Sequence, residues 1–278
     1  MEDSEFLQFF SGKRLIGDDF TLAEIEAWFA DEAEAYANLG AKDKDSYTYG
    51  YHALNALHGY KGLPVPENAQ VLGFGSAYGD ELSPLLSKAS RVTIVDPSDE
   101  FVMTDREGVP ITFVKPVPSG KLPFENDSFD IITCLGVLHH IPNVSFVIQE
   151  LGRVLRPGGF ALIREPIVNM GDWRKPRLGL TRRERGIPKE YMESAIAKGN
   201  MSVWRSTPCI FPLTPRISKL IGVRFPFNSQ PMARLDKILC TLTHWNCRYD
   251  RRTIMQKICP TSHFWVCKSM KLPGASAQ

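Results

Sequence analysis

From Ala69 onward, short apolar runs alternate with stretches of helical period. The runs are "QVLGF", "RVTIVD", "ITFVKP", "FDIITCL" and "FALIREP". Each is too short for a helix and reads as a buried strand. Asp80 to Ser87 opens a helix after the first. Between the fourth and fifth lies "NVSFVIQELGRVLRPGG", where Val147, Leu151 and Val154 share a helical face. Asn143 stands where it can cap that helix, and Pro157-Gly158-Gly159 where it can end it. Strands and helices alternating at these lengths predict a doubly wound, mostly parallel α/β sheet of Rossmann type. "MSVWRSTPCIF" and "SHFWVCKSM" add two strand-like runs, which makes the sheet seven-stranded.

The chain before Ala69 has the helical period only. In "TLAEIEAWFADEAEAYANLG", Thr21 and Glu24 have capping-box spacing. Leu22, Ile25, Phe29, Ala33 and Tyr36 fall on one face with Trp28 to its side, and Gly40 is a natural stop. A second helical stretch runs from Tyr51 to Leu57, and "KGLPVPENA" connects it to the first strand. After Pro166 the rhythm breaks. "NMGDWRKPRLGLTRRERG" has no hydrophobic period, and "IPKEYMESAIAKG" reads as a helix between Pro188 and Gly199. Between Pro212 and Cys259, prolines surround one good helix, Met232 to Leu242. The expected organisation is an N-terminal helical cap over 1–62 and an α/β domain over 63–278, with insertions at about 167–187 and 212–259. Such insertions usually build the substrate side of an α/β enzyme. Trp204, Phe211, Trp245 and Trp265 are expected in the core. Trp28 is expected in the core as well, although the N-terminal helices, with Tyr36, Tyr47, Tyr49 and Tyr51, are placed to fold over a ligand as a lid.

Composition narrows the function classes. Of 278 residues, 33 are Lys or Arg and 31 are Asp or Glu, a net charge of +2 that makes no global case for nucleic acid or a membrane surface. No apolar run is long enough to span a bilayer. None of the six cysteines sits in a CxxC pair, so no metal site is expected. "MEDSEFLQFF" is acidic where a signal peptide is basic, so a cytoplasmic chain with reduced thiols is expected.

The chemistry begins at "VLGFGSAYGDEL". A dinucleotide fingerprint counted from Gly73 needs its third glycine at 78, which is Tyr78; the glycine comes at Gly79. A bulky side chain there argues against an NAD-dependent enzyme. Small residues at Gly73, Gly75, Ala77 and Gly79 suit a wider loop around a compact ligand. Asp96 ends the second strand, where a carboxylate can accept both hydroxyls of a ribose. Its plainer role is to cap the "PSDEF" segment. Turn and carboxylate together suggest an adenosine-bearing ligand.

"VLGFGSAYGDEL", "VTIVDPS", "KLPFENDSFDIITCLGVLHHIPN" and "ELGRVLRPGGFALIREP" resemble, in order, the motifs of class I S-adenosylmethionine-dependent methyltransferases, in the type 11-like branch. The resemblance covers about Val71 to Pro166. It implies that Gly73, Phe74, Gly75, Ser76, Ala77 and Gly79 form the loop beside the methionine part of the cofactor. It implies that Asp96 holds the ribose and that Pro97, Ser98 and the "GKLPF" stretch, with Lys121 and Leu122, edge the adenine. Cys134, Leu135 and Gly136 would lie under the transferred methyl. The last strand would run antiparallel. The chain departs from the family pattern at Gly73, usually acidic, at Ala77, usually glycine, and near Pro118, where an acid or amide is common.

His139 and His140 follow the fourth strand, at the mouth where doubly wound sheets bind ligands. An imidazole there can take a proton from a hydroxyl as it is methylated; the favoured reading is the plainer one, that one histidine packs inward and the other is solvated. Between Arg174 and Lys189 seven bases surround one acid, Glu184. A solvated loop is one reading. The other is that Arg182 and Arg183 bind an anionic acceptor. The function expected is methyl transfer from S-adenosylmethionine to a small or medium-sized acceptor, at oxygen, with a glycan-related or other anionic metabolite as the acceptor class. A catalytically silent binding protein of the same fold is the other class of answer.

Overall fold

The structure, a computed structural model, describes residues 3–40 and 48–272, with side chains described outside 33–40. Its strands are β1 (Ala69–Phe74), β2 (Ala89–Val95), β3 (Asp105–Arg106), β4 (Val109–Val114), β5 (Phe129–Leu135), β6 (Leu155–Pro166), β7 (Met201–Cys209) and β8 (Ser262–Ser269). They form one sheet in the order β3-β4-β2-β1-β5-β6-β8-β7. The five strands β4, β2, β1, β5 and β6 are parallel, while β8 runs antiparallel between β6 and β7. The expected Rossmann-like sheet and its antiparallel last strand are present. The eighth strand is the two-residue edge ribbon β3, too short to show as a pattern.

The helices are α1 (Asp3–Phe10), α2 (Leu22–Gly40), α3 (His52–Asn55), α4 (Ser83–Leu86), α5 (Val144–Val154), α6 (Lys189–Lys198), α7 (Thr214–Leu220) and α8 (Gln230–Thr243). Strand alternation divides the core into two layers. Leu72, Ile132, Ile163 and Trp265 face α5 and α6, with Val147, Ile148, Leu151, Met192 and Ile196 packed over them. Val71, Ile131, Leu162 and Phe264 face the other way, against Leu54, Leu82, Leu85 and Leu86.

Several local expectations hold. The Thr21–Glu24 capping box forms, with Thr21 N–H donating to Glu24 Oε2 at 2.8 Å and Glu24 N–H to Thr21 Oγ1 at 3.4 Å. Others need correction. Asn143 does not cap α5, because its side chain donates to Ser119 O; Asp18 accepts the Ser145 N–H at 2.7 Å instead. The helix ends at Val154, before Pro157-Gly158-Gly159, because buried Leu155 already pairs with Phe129 at the start of a bulged β6. On α2 the buried positions are Ile25, Trp28 and Glu32, and Leu22 is exposed. Trp28 turns inward because its indole N–H donates to His140 O at 2.7 Å. Phe211 and Trp265 are core residues as expected, but Trp204 and Trp245 are exposed. The side chains of Ala33 and Tyr36, and the whole of Tyr47, lie outside the described residues.

Candidate active site

The strand order reverses between β1 and β5, and the ligand crevice of an open α/β sheet lies at the carboxyl ends there. A cleft of about 980 Å³, its open mouth included, occupies that place. Gly75, Asp96 and Gly136, the first residues past β1, β2 and β5, form its floor. Phe74, Ala77, Val95, Pro97 and Phe101 line one side, and Pro116 to Pro118 with Gly120 another. Trp28, Phe29 and Glu32 of α2 cover it, and Val137, His140, Ile141 and Pro142 close the remaining wall.

The turn after β1 is held by its backbone. Gly75 has φ +69°, and a Cβ there would stand 2.5 Å from Val137. Ala77 is also left-handed, at φ +46°, in the region that favours glycine. That conformation points the Ala77 N–H at Asp96 Oδ2, 3.0 Å away, while Ser98 N–H donates to Oδ1 at 3.1 Å. Asp96 is buried, and burial pushes its pKa up to about 6 against the pull of those two N–H groups. It does not cap the following turn; Ser98 does, accepting from Glu100 N–H. Tyr78 is buried edge-on against Phe101, which accounts for a large side chain where a dinucleotide turn needs glycine.

Of the residues expected around a cofactor, Phe74, Gly75, Ala77, Asp96, Pro97 and Gly136 line the cleft, as does His140. Gly73, Ser76, Gly79, Ser98, Cys134 and Leu135 support it from behind. In the "GKLPF" stretch the cleft is met by Gly120. Leu122 is a core residue whose N–H donates to Glu150 Oε2, and Lys121 is exposed.

A second cavity of about 860 Å³, again with its mouth, lies across Gly136 from the first. Tyr51, His139, Arg164, Glu165, Asn169, Arg251 and Ser262 supply its polar groups, among apolar residues that include Val168, Met170, Leu180 and Ile210. Arg164 is buried, with its guanidinium 4.1 Å from the centre of the Tyr51 ring and 2.8 Å from Asn55 Oδ1. Arg164 and Arg251 are the bases here, and nothing in the sequence pattern singled them out. Arg182 and Arg183, which the pattern did single out, line neither cavity. Both pair with Asp31 of α2, at 3.1 Å and 2.6 Å, and fasten that helix to the 167–187 insertion.

The two histidines lie between the cavities with ring centres 4.1 Å apart. His139 Nδ1 is 2.7 Å from Glu165 Oε2 and its Nε2 is 3.3 Å from Glu184 Oε1. Burial disfavours charge on His139, but the Glu165 carboxylate, with Glu184, overrides it and raises the pKa to about 9. Burial and the charge on His139 hold His140 below the ordinary histidine range, against the pull of Glu32 Oε2 at 2.8 Å from Nδ1. One ring nitrogen of each histidine and an oxygen of Glu184 lie within 4.8 Å of one another, a set that could hold a divalent cation only if His139 gave up its proton. Cysteine spacing, the signal used to look for metal in the sequence, could not have shown it.

Residues 72–163, from β1 into β6, match the family model described as a methyltransferase domain. The chain is 32% identical over 96 residues to a ubiquinone biosynthesis O-methyltransferase of Shewanella halifaxensis, covering 33% of this chain and 41% of that protein. It is 24% identical over 162 residues to a ubiquinone/menaquinone biosynthesis C-methyltransferase of Bartonella quintana, covering 52% and 61%. The chain thus spans less than two thirds of either relative's length. The fold is shared with an S-adenosylmethionine-dependent methyltransferase structure from Mesorhizobium loti, at TM-score 0.51 and 15% identity, covering 78% of this chain and 95% of that one. The fold and its crevice are those of class I methyltransferase structures, and the family match falls on the strands that build the crevice. Residues 72–163 are an S-adenosylmethionine-dependent methyltransferase domain of that class.

Proposed function

We propose that the protein transfers the methyl group of S-adenosylmethionine to a hydroxyl of a small anionic acceptor, a glycan-related compound or another anionic metabolite. The observation that carries this reading is the pair of cavities meeting at Gly136. The first has the chemistry of a nucleoside site: an apolar, partly aromatic slot with the buried carboxylate of Asp96 at the end of β2 and that of Glu32 in its cover. Each oxygen of Asp96 already takes one backbone N–H, which fixes the carboxylate and leaves it lone pairs for ribose hydroxyls. When bound, S-adenosylmethionine supplies a methyl group on a positively charged sulfur. The protein's part is alignment, exclusion of water and removal of the acceptor's proton.

Alignment falls to the floor of the cleft. Gly136 puts no side chain between the cavities, so a donor in one and an acceptor in the other can approach over it. Trp28 and Phe29 cover the cleft and keep water out. Arg164 and Arg251 offer forked donors to a carboxylate or phosphate on the acceptor. The histidines divide the proton work. His139, flanked by two carboxylates, stays charged at neutral pH and positions its surroundings. His140 stays neutral, lines the cleft and is the base that takes the hydroxyl proton.

The test is transfer of labelled methyl from S-adenosylmethionine to hydroxylated acceptors with and without a carboxylate or phosphate. Label is expected in the anionic set, and His140→Gln is expected to lower kcat by about 100-fold or more. Label appearing only in uncharged acceptors, or a variant within a few-fold of the parent, would overturn the respective part of the reading.

A further inference from the structure

The 212–259 insertion carries surface chemistry unlike the rest of the molecule. Between Pro212 and Cys259 stand nine Lys or Arg and two Asp or Glu, whereas the remainder of the chain holds 24 and 29. Of the two acids, Asp236 is buried and Asp250 pairs with Arg252. The other exposed bases, Arg216, Lys219, Arg224, Arg234, Lys237, Arg248 and Lys257, form no ion pair with a carboxylate among the described residues. Beside them, large apolar side chains face solvent: Leu220 is 86% exposed, Leu242 65%, Trp245 70% and Ile254 81%.

Leu242, Trp245 and Ile254 are neighbours. Ile238, also exposed, and Leu242 lie one turn apart on α8. Trp245 donates its indole N–H to Leu242 O at 3.0 Å, just past the helix end. Asn246 donates to Met255 O at 2.6 Å, which brings the exposed Ile254–Met255 turn beside Trp245. The result is an apolar strip rimmed by bases.

We propose that this strip docks the protein on an anionic bilayer surface. Lipid headgroups supply the negative charge that the unpaired bases lack. The acyl boundary supplies the apolar phase in which Leu242, Trp245 and Ile254 are buried. A nucleic acid would answer the charge but offers no such phase for the aliphatic side chains. A second copy of this chain would bring like charge against like charge. The same insertion lines the second cavity through Arg251, so docking brings the edge of that cavity to the bilayer. This inference does not depend on the methyl-transfer reading.

The test is sedimentation of the full chain with vesicles of phosphatidylcholine alone or mixed with phosphatidylglycerol. Binding is expected to the mixed vesicles, weaker by about tenfold or more on phosphatidylcholine alone, and suppressed by salt at about 0.5 M. The double variant Leu242→Ser, Trp245→Ser is expected to weaken partition about tenfold while keeping the parent's circular dichroism and cooperative melting as the sign that it is folded. Absence of binding to mixed vesicles at low salt would overturn the proposal. So would equal binding by the double variant, or a dimer in solution that the double variant dissolves, which would give the strip to a second copy.

Discussion

The two cavities at the carboxyl edge of the sheet are alike in size but differ in the charged groups they present and in where those groups come from. The cleft over β1 and β2 is apolar, roofed by Trp28 and Phe29, and holds Asp96 at one end. The cavity over β6 and β8 is also lined mostly by apolar surface but carries Arg164, Arg251, Glu165 and His139. Its residues come from strand ends and from both insertions, whereas the floor of the cleft comes from consecutive strand ends. The difference teaches where generic and particular recognition sit in this fold. On the proposed reading, a cofactor common to a whole class is met by the shared strand ends, and the acceptor by the segments that follow β6 and β7.

If that division is right, charge should matter on one side only. Arg251→Met removes a half-exposed base from the second cavity without emptying a buried site. It is expected to raise KM for an anionic acceptor about tenfold or more, the value of a charge-assisted hydrogen bond, and to leave the Kd for S-adenosylmethionine unchanged. Steady-state kinetics with both substrates varied checks this. Equal change in both constants would erase the distinction between the cavities.

The boundary between them should respond to pH. His139 is raised from 6.5 to about 9 in the folded protein, so its contribution is present in full below pH 6.5 and is lost as pH rises through about 9. The loss is on the order of 3 kcal/mol. Glu184, lowered to about 2 chiefly by His139 against the effect of burial, reports the same contact and adds nothing to that sum. Denaturant unfolding at pH 7 and pH 10 is expected to show the fall, and His139→Gln to flatten it. A parent protein equally stable at both values would contradict the arrangement.

The smallest expected effect lies within the cleft. Ala77 pays for its left-handed backbone at φ +46°. Ala77→Gly is expected to gain up to about 1 kcal/mol, since relief of that strain is partly offset by the freer unfolded glycine. Thermal melting of the two proteins checks the sign.

What could be read from the sequence follows the same division. The strands and the place of Asp96 follow from local apolar runs and a turn, each complete within a few residues, whereas the antiparallel return of β8 is implied only by the family resemblance. Contacts between distant segments left no such trace. Trp28 faces inward because of a carbonyl at residue 140, and α5 is capped by Asp18 rather than by its neighbour Asn143. Arg182 and Arg183 looked like an anion site because their partner, Asp31, lies in another element. Arg164, inside an apolar strand run, looked like nothing at all until the fold set it beside Tyr51. Trp245 has the composition of a core residue, and only the fold leaves it outside.

The central claim is that Asp96 and the turn before it hold the adenosine part of the cofactor. Calorimetric titration of S-adenosylhomocysteine into the wild-type protein and into Asp96→Ala tests it most directly. Ribose hydroxyls donating to the carboxylate favour its charged form, so wild-type affinity should decline as pH falls through about 6. The account predicts one site per chain in the wild type. It predicts affinity at least about tenfold weaker in the variant, the free proteins melting at similar temperatures. A folded wild type that gives no heat, or a variant that binds as tightly as its parent at pH 7, would contradict it.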